Sequence, residues 1–111
     1  MNVLSVAAQV GTPIRSFYSA SKFALDGFGK ALQGEVAHLN ISVTQCYPAY
    51  VRTNISRNAL VGEGASFGSS DSNIENGITA DVACDDLVKA IYLRKHWITL
   101  GSTYFQVVPR I

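Results

Sequence analysis

At 111 residues, with 48% hydrophobic content, the chain is the size of one domain and has enough apolar material for a core, so it is neither a tail nor a linker. Nine basic and eight acidic residues leave a formal net charge of +1, with no basic run longer than Arg94-Lys95, which argues against nucleic acid and anionic membrane surfaces as partners. No apolar run of about 18 residues is present to span a bilayer, and no charged start followed by an apolar stretch marks a signal peptide; as given, the chain reads as soluble.

Residues 1–4 (MNVL) read as the end of a buried strand that stops at Ser5. The strand begins abruptly, as though its upstream part had been cut away. Residues 7–13 are a loop, because Gly11-Thr12-Pro13 is turn chemistry and the proline biases Thr12 away from helix. Ser16 is placed to cap a helix over residues 17–39, along which Tyr18, Leu25, Phe28, Leu32, Val36 and Leu39 return at three-to-four spacing. A second stripe, Ala20, Ala24, Gly27 and Ala31, is made only of small residues and admits either another helix or a sheet at close range.

Asn40 ends that helix, and residues 41–47 (ISVTQCY) are rich in β-branched side chains and predict a second strand. A helix between two strands makes a right-handed βαβ unit with parallel strands, so Ser5 and Pro48 fall on the same edge, outside which open parallel sheets bind their ligands. Residues 55–77 are the least patterned, with short helical turns expected near residues 56–60. Thr79 caps a helix over residues 80–94 whose apolar face is Val82, Ala83, Leu87, Val88 and Ile91, with Asp81, Asp85 and Asp86 favourably placed near its start. Residues 97–100 (WITL) are a short strand, and residues 104–108 an apolar piece without assignment. The order of elements is that of an α/β fold built on a partial, Rossmann-like parallel sheet.

Cys46 and Cys84 are far apart and lack CxxC or Cys/His spacing, so no metal is expected and reduced thiols are the plain reading. His38 and His96 sit in polar surroundings and suggest no chemistry. The informative group is Ser5, Tyr18 and Lys22. Four residues apart on a helix, Tyr18 and Lys22 are neighbours, and a cation beside a phenol stabilises the phenolate. A free tyrosine titrates near ~10 and is a poor base at neutral pH until its anion is stabilised. The first turn of the helix adds its positive end in the same sense. With Ser5 free to hydrogen-bond a substrate oxygen, the set suits interconversion of an alcohol and a carbonyl. A serine hydrolase is excluded, since there is no G-x-S-x-G around Ser5 and no placed His-acid pair.

The serine, the Tyr-x-x-x-Lys with small residues inside it (Tyr18-Ser19-Ala20-Ser21-Lys22) and residues 48–53 (PAYVRT) together resemble the C-terminal half of a short-chain dehydrogenase/reductase. The wording PIRSFYSASKFA, ISVTQCYP, VRTNISRNAL and GITADVACDDLVKAI is most similar to the branch of that family called dehydrogenase/reductase member 7 or 7B, over about residues 2–100. The resemblance implies that Tyr18 exchanges the proton, that Lys22 lowers the phenol pKa and holds the nicotinamide ribose of NAD or NADP, and that Ser5 positions the substrate oxygen. It further implies that Pro48, Ala49, Val51 and Thr53 line the nicotinamide, with Ala49 standing where the family has glycine. It implies too that the residue 17–39 helix packs against its twin in a homodimer, the small stripe packing on the sheet being the alternative.

The resemblance makes residues 55–77 the cover of a small alcohol or carbonyl substrate, with lipid- or steroid-like molecules in range, and leaves open a membrane-anchored parent at the endoplasmic reticulum or peroxisome. The glycine-rich phosphate turn that a dinucleotide site needs is not in these 111 residues. Residues 1–111 are therefore expected to be the C-terminal catalytic part of one NAD(P)-binding domain, lacking the nucleotide-binding half and inactive alone. The alternative is a non-catalytic interaction or dimerisation module derived from that fold.

Overall fold

The computed structural model describes residues 1–69 and 71–101. Strands β1 (Asn2–Val3), β2 (Gln45–Pro48) and β3 (Trp97–Leu100) form one sheet in that order, with helix α1 (Ser16–Val36) between the first two and helix α3 (Ala80–Tyr92) between the last two. Both pairings are parallel, as the βαβ reading expects: Asn2 lies opposite Gln45, and Gln45 to Pro48 opposite Trp97 to Leu100. The ladder runs slightly past the strands, through Leu4 N–H to the Cys46 carbonyl at 2.7 Å and Ala49 N–H to the Leu100 carbonyl at 2.8 Å. The α/β, Rossmann-like architecture is therefore present. The apolar piece at residues 104–108 lies outside the described residues.

Because side chains alternate along a strand, β2 serves both faces of the sheet. Tyr47 packs with Leu4 and Ala8 on the face that α1 covers, joined by Val6 and Leu25. Cys46 points the other way and packs with Ala83 of α3 and Leu100 of β3, joined by Leu87, Ile98, Val51 and Ile78. A central parallel strand buried on both sides accounts for the run of buried residues from Val43 to Tyr47.

Several boundaries differ from the sequence reading. The second strand starts at Gln45 and not at residue 41, because the Val43 N–H is taken by the Gln33 Oε1 of α1 at 2.6 Å and leaves the ladder. Ser16 is the first helical residue and no cap. The N-cap position is Arg15, without a side-chain bond, behind Ile14 in the left-handed region at φ 64, where a β-branched residue is strained. The α-helix ends at Val36 and tightens into a 3₁₀ turn, Ala37–Leu39, closed by Asn40 at φ 57. Thr79 does cap α3, its Oγ1 accepting the Val82 N–H at 3.5 Å, and α3 stops at Tyr92 where the chain turns through Arg94 at φ 51. Only Ala83 and Ala90 of α3 are buried, and Val82, Val88 and Ile91 of the expected apolar face are exposed.

The larger correction concerns the face of α1. Of the expected apolar face, Leu25, Leu32 and Val36 are half-buried, but Tyr18, Phe28 and Leu39 are exposed, and the fully buried residues are Ser19, Asp26 and Gly29. The helix meets the sheet through a polar seam. Asp26 accepts from Tyr47 and Gln45, Gln33 accepts from Val43, and Gly29 allows the approach, since a Cβ there would meet Gln45 and Asn2 side-chain atoms at 2.4–2.5 Å. Among the described residues every buried side-chain nitrogen and oxygen has a partner, which is the condition for such a seam. The small stripe Ala20, Ala24, Gly27 and Ala31 is exposed, so the alternative in which it packs on the sheet is overturned.

Between β2 and α3, residues 54–58 make the helical turn expected nearby, Leu60 and Ser66 form an antiparallel bridge, and a short helix α2 (Ser72–Glu75) appears that the sequence reading did not foresee. Val51 and Ile78 bridge in parallel just beyond the sheet, with Gly77 against the Tyr50 carbonyl. A Cβ at Gly77 would lie 2.4 Å from that backbone oxygen, whereas one at Gly34 on α1 meets nothing within 4 Å. Gly77→Ala is expected to destabilise by roughly 1–3 kcal/mol through overpacking, and Gly34→Ala to stabilise by up to about 1 kcal/mol through helix propensity. Urea unfolding of both variants checks the opposite signs.

Candidate active site

Ser5 follows β1 with an extended backbone, φ −168, and starts the 3₁₀ turn Val6–Ala8; its Oγ accepts the Ala7 N–H at 3.2 Å, and its own O–H remains available as a donor. The turn lies against α1, held by Ala8 in the core beneath. Tyr18 is the third residue of α1, in the first turn where four N–H groups lack helical acceptors, and its side chain reaches the surface. Lys22, one turn on, places its Nζ 5.7 Å from the centre of the Tyr18 ring and donates to the Val3 carbonyl of β1 at 3.2 Å. A single ammonium group thus bridges the phenol on the helix and the backbone two residues before Ser5.

Residues 48–53 leave the sheet at the same carboxyl edge. Pro48 ends β2, and Ala49 is bonded to Leu100, its methyl facing Gly101 at the end of β3. Ala49 is not among the residues with positive φ, so its backbone asks for no glycine. An alanine is therefore accommodated at this position without backbone strain. Thr53 Oγ1 accepts the Ile55 N–H at 3.3 Å, and Arg52 Nε donates to the Glu75 carbonyl of α2 at 3.0 Å. A cleft of roughly 400 Å³ opens beside this segment, between Ala49, Tyr50, Asn73 and Gly101.

Helix α2 is tied to both sides of the site. Arg15, just before the Tyr18 turn, lies 3.7 Å from Asp71, and Arg57 lies 3.8 Å from Glu75. These pairs are exposed and orient more than they stabilise. Ile14 and Phe17, which shortly precede Tyr18 in the chain, are apolar and 105% and 92% exposed.

The sequence reading missed Asp26 and Tyr47. Asp26 Oδ1 accepts the Tyr47 hydroxyl at 2.5 Å, its Oδ2 pairs with Lys30 at 2.6 Å, and Gln45 Nε2 donates to its carbonyl at 3.0 Å. A usable signal was present: Ser19, Lys22, Asp26, Gly29 and Gln33 recur at three-to-four spacing, a stripe of small and polar residues as regular as the apolar one.

A family model described as short chain dehydrogenase matches residues 1–63, which contain Ser5, Tyr18, Lys22 and residues 48–53. The chain belongs to the short-chain dehydrogenase/reductase family. It is 40% identical over 93 residues to a Drosophila melanogaster dehydrogenase/reductase SDR family protein 7-like, covering 84% of this chain and 28% of that protein. Similarity to dehydrogenase/reductase SDR family member 7B is 35% over 98 residues in Mus musculus, 88% of this chain and 30% of the relative, and 36% over 100 residues in Danio rerio, 90% and 32%. The chain thus spans about a third of the length of these short-chain dehydrogenase/reductase relatives. No helix among the described residues is long and apolar enough to cross a membrane.

The two thiols behave differently. Burial of Cys46 in the core pushes its pKa up from 9.0 to about 11, while Cys84 is exposed. A thiol reagent near pH 8 is expected to modify Cys84 alone in the folded chain and both after unfolding. Because the folded Cys46 pKa lies above the unfolded one, the unfolded state releases its proton first. Stability should be whole below about pH 9 and fall between pH 9 and 11, and a Cys46→Ala variant should lack that contribution in denaturation curves at the two pH values.

Proposed function

We propose that residues 1–111 supply the C-terminal catalytic part of one NAD- or NADP-binding domain that interconverts an alcohol and a carbonyl. The observation that carries this reading is Lys22, whose ammonium bridges the Tyr18 ring and the Val3 carbonyl at the edge where parallel sheets bind ligands. In this reading Tyr18 exchanges the proton with the substrate oxygen, Ser5 donates a hydrogen bond to that oxygen, and Lys22 holds the phenolate and, with its remaining N–H groups, the ribose. When bound, the nicotinamide supplies or accepts the hydride. Pro48, Ala49, Val51 and Thr53 would hold it, and the fit is supported by the ordinary backbone at Ala49, the Ala49 methyl facing Gly101, and the Thr53 O–H still free to donate. The exposed Ile14 and Phe17, shortly before Tyr18 in the chain, favour an apolar substrate of lipid- or steroid-like kind.

With no glycine-rich phosphate turn in the sequence and about a third of its relatives' length, the chain by itself is proposed to be inactive. Calorimetric titration with NAD and NADP at millimolar concentration is expected to show no binding, and micromolar binding by the isolated chain would overturn this.

The exposed small stripe, Ala20, Ala24, Gly27 and Ala31, is the surface proposed to pair with a second copy of α1. It also supports the second reading, a dimerisation module without catalysis. Ala24→Arg is expected to shift sedimentation from dimer to monomer, and an unchanged monomer before and after substitution would remove both ideas.

The catalytic reading is decided by Tyr18→Phe in a protein that joins this chain to a nucleotide-binding half. Loss of the transferable proton with the ring retained should lower turnover at least about 100-fold. Lys22→Met in the same protein should weaken dinucleotide binding. Near-normal turnover for Tyr18→Phe would remove Tyr18 from the mechanism.

A further inference from the structure

The 3₁₀ turn that carries Ser5 and the helix that carries Tyr18 belong to different elements, and one side chain contacts both. The Tyr47 ring is 1% exposed and packs on Leu4 and Ala8, which flank Ser5 and its turn, with Val6 and Leu25 around it. Its hydroxyl crosses to α1 and donates to Asp26 Oδ1 at 2.5 Å. Asp26 is itself immobilised. It is 7% exposed, pairs with Lys30 through Oδ2, and receives Gln45 Nε2 at its main-chain carbonyl and, at 3.4 Å, at Oδ1. Gln45 in turn accepts from Asn2 of β1 at 2.9 Å, so the network touches all three elements of the βαβ unit.

We infer that Tyr47 is a positioning residue, a rigid strut between the Ser5 turn and α1 that sets where the Ser5 hydroxyl stands relative to Tyr18. This rests on the reading in which those two residues act on one substrate oxygen. A phenol suits the task because its ring spans the gap with only two side-chain torsions and its hydroxyl ends on a buried carboxylate, where a charge-assisted bond is short and strong. Lys22, bonded to Val3, ties α1 to β1 at the surface and belongs to the chemistry, whereas Tyr47 joins the Ser5 turn to α1 from within the core.

The test compares Tyr47→Phe, Asp26→Ala and Asp26→Asn by amide hydrogen exchange in the intact 111-residue chain. Tyr47→Phe keeps the ring and its packing and removes only the hydroxyl. The Ala8 and Gln9 N–H groups, bonded to the Ser5 and Val6 carbonyls at 2.9 Å, should exchange about tenfold faster or more, while Ala83 on the opposite face keeps its rate. Asp26→Ala should behave the same way from the other end of the bond. Asp26→Asn retains an acceptor oxygen for the Tyr47 hydroxyl and should stay within about threefold of the parent. A uniform rise at all three amides, or no change at Ala8 and Gln9, would reduce Tyr47 to ordinary packing and overturn the proposal. So would Asp26→Asn matching Asp26→Ala. In the protein joined to a nucleotide-binding half, Tyr47→Phe should lower kcat with KM kept, and an unchanged kcat would likewise overturn it. Exchange does not depend on the reaction, so a local change at the turn together with an active Tyr18→Phe enzyme would sink the catalytic reading and leave the strut.

Discussion

A carboxylate buried between a helix and a sheet governs this structure. Asp26 lies on the face of α1 that meets β2, where an unpaired charge would cost several kcal/mol, and it is tolerated because Tyr47, Gln45 and Lys30 all converge on it. That convergence dictates the rotation of α1 about its axis. Once Asp26 faces β2, Ser19 and Gly29 must face the sheet too, Lys22 is carried to the Val3 carbonyl, and Tyr18 is left at the rim of the sheet's carboxyl edge. The position of the candidate catalytic pair follows from the polar seam and not from the apolar stripe.

This explains how much could be read in advance. The βαβ order, the parallel pairing, the Thr79 cap and the neighbourhood of Tyr18 and Lys22 rest on local rules, and local rules were sufficient for them. The buried face of α1 was misread because hydrophobic periodicity assumes that burial selects apolar residues. Here burial selects hydrogen-bond partners, and whether Asp26 has partners depends on Gln45 and Tyr47, some twenty residues away. The displaced start of β2 has the same origin, since Gln33 takes the Val43 N–H across the same seam. Helix α2 was invisible for another reason: at four residues it has no period to read, and it is held by Asp71 capping it, by buried Ile74 and by arginines from elsewhere in the chain.

The apolar residues that the seam displaces are left with other work. Phe17 and Ile14 stand exposed at the start of α1, and Phe28 with the small stripe lies along its outer side. A helix whose fully buried residues are Ser19, Asp26 and Gly29, with Leu25, Leu32 and Val36 half-buried beside them and an apolar outer face, departs from the usual pattern of a surface helix. Such a helix is suited to being covered on the outside as well, as the proposed pairing of copies would do.

The parallel register also governs how the sheet can be assembled. Asn2 meets Gln45 and Gln45 meets Trp97, so the two pairings close loops of 43 and 52 residues, and their closure entropies differ by well under 1 kcal/mol. Length therefore does not decide which forms first. The first loop contains α1, a helix of 21 residues that can form from local contacts, while the second must order the bridge and turns of residues 54–78 before α3 is reached. Local contacts therefore favour β1, α1 and β2 as the pairing that should form first, with β3 joining later. The strands whose carboxyl ends carry Ser5 and Pro48 would then be set in place before the third strand closes over Cys46.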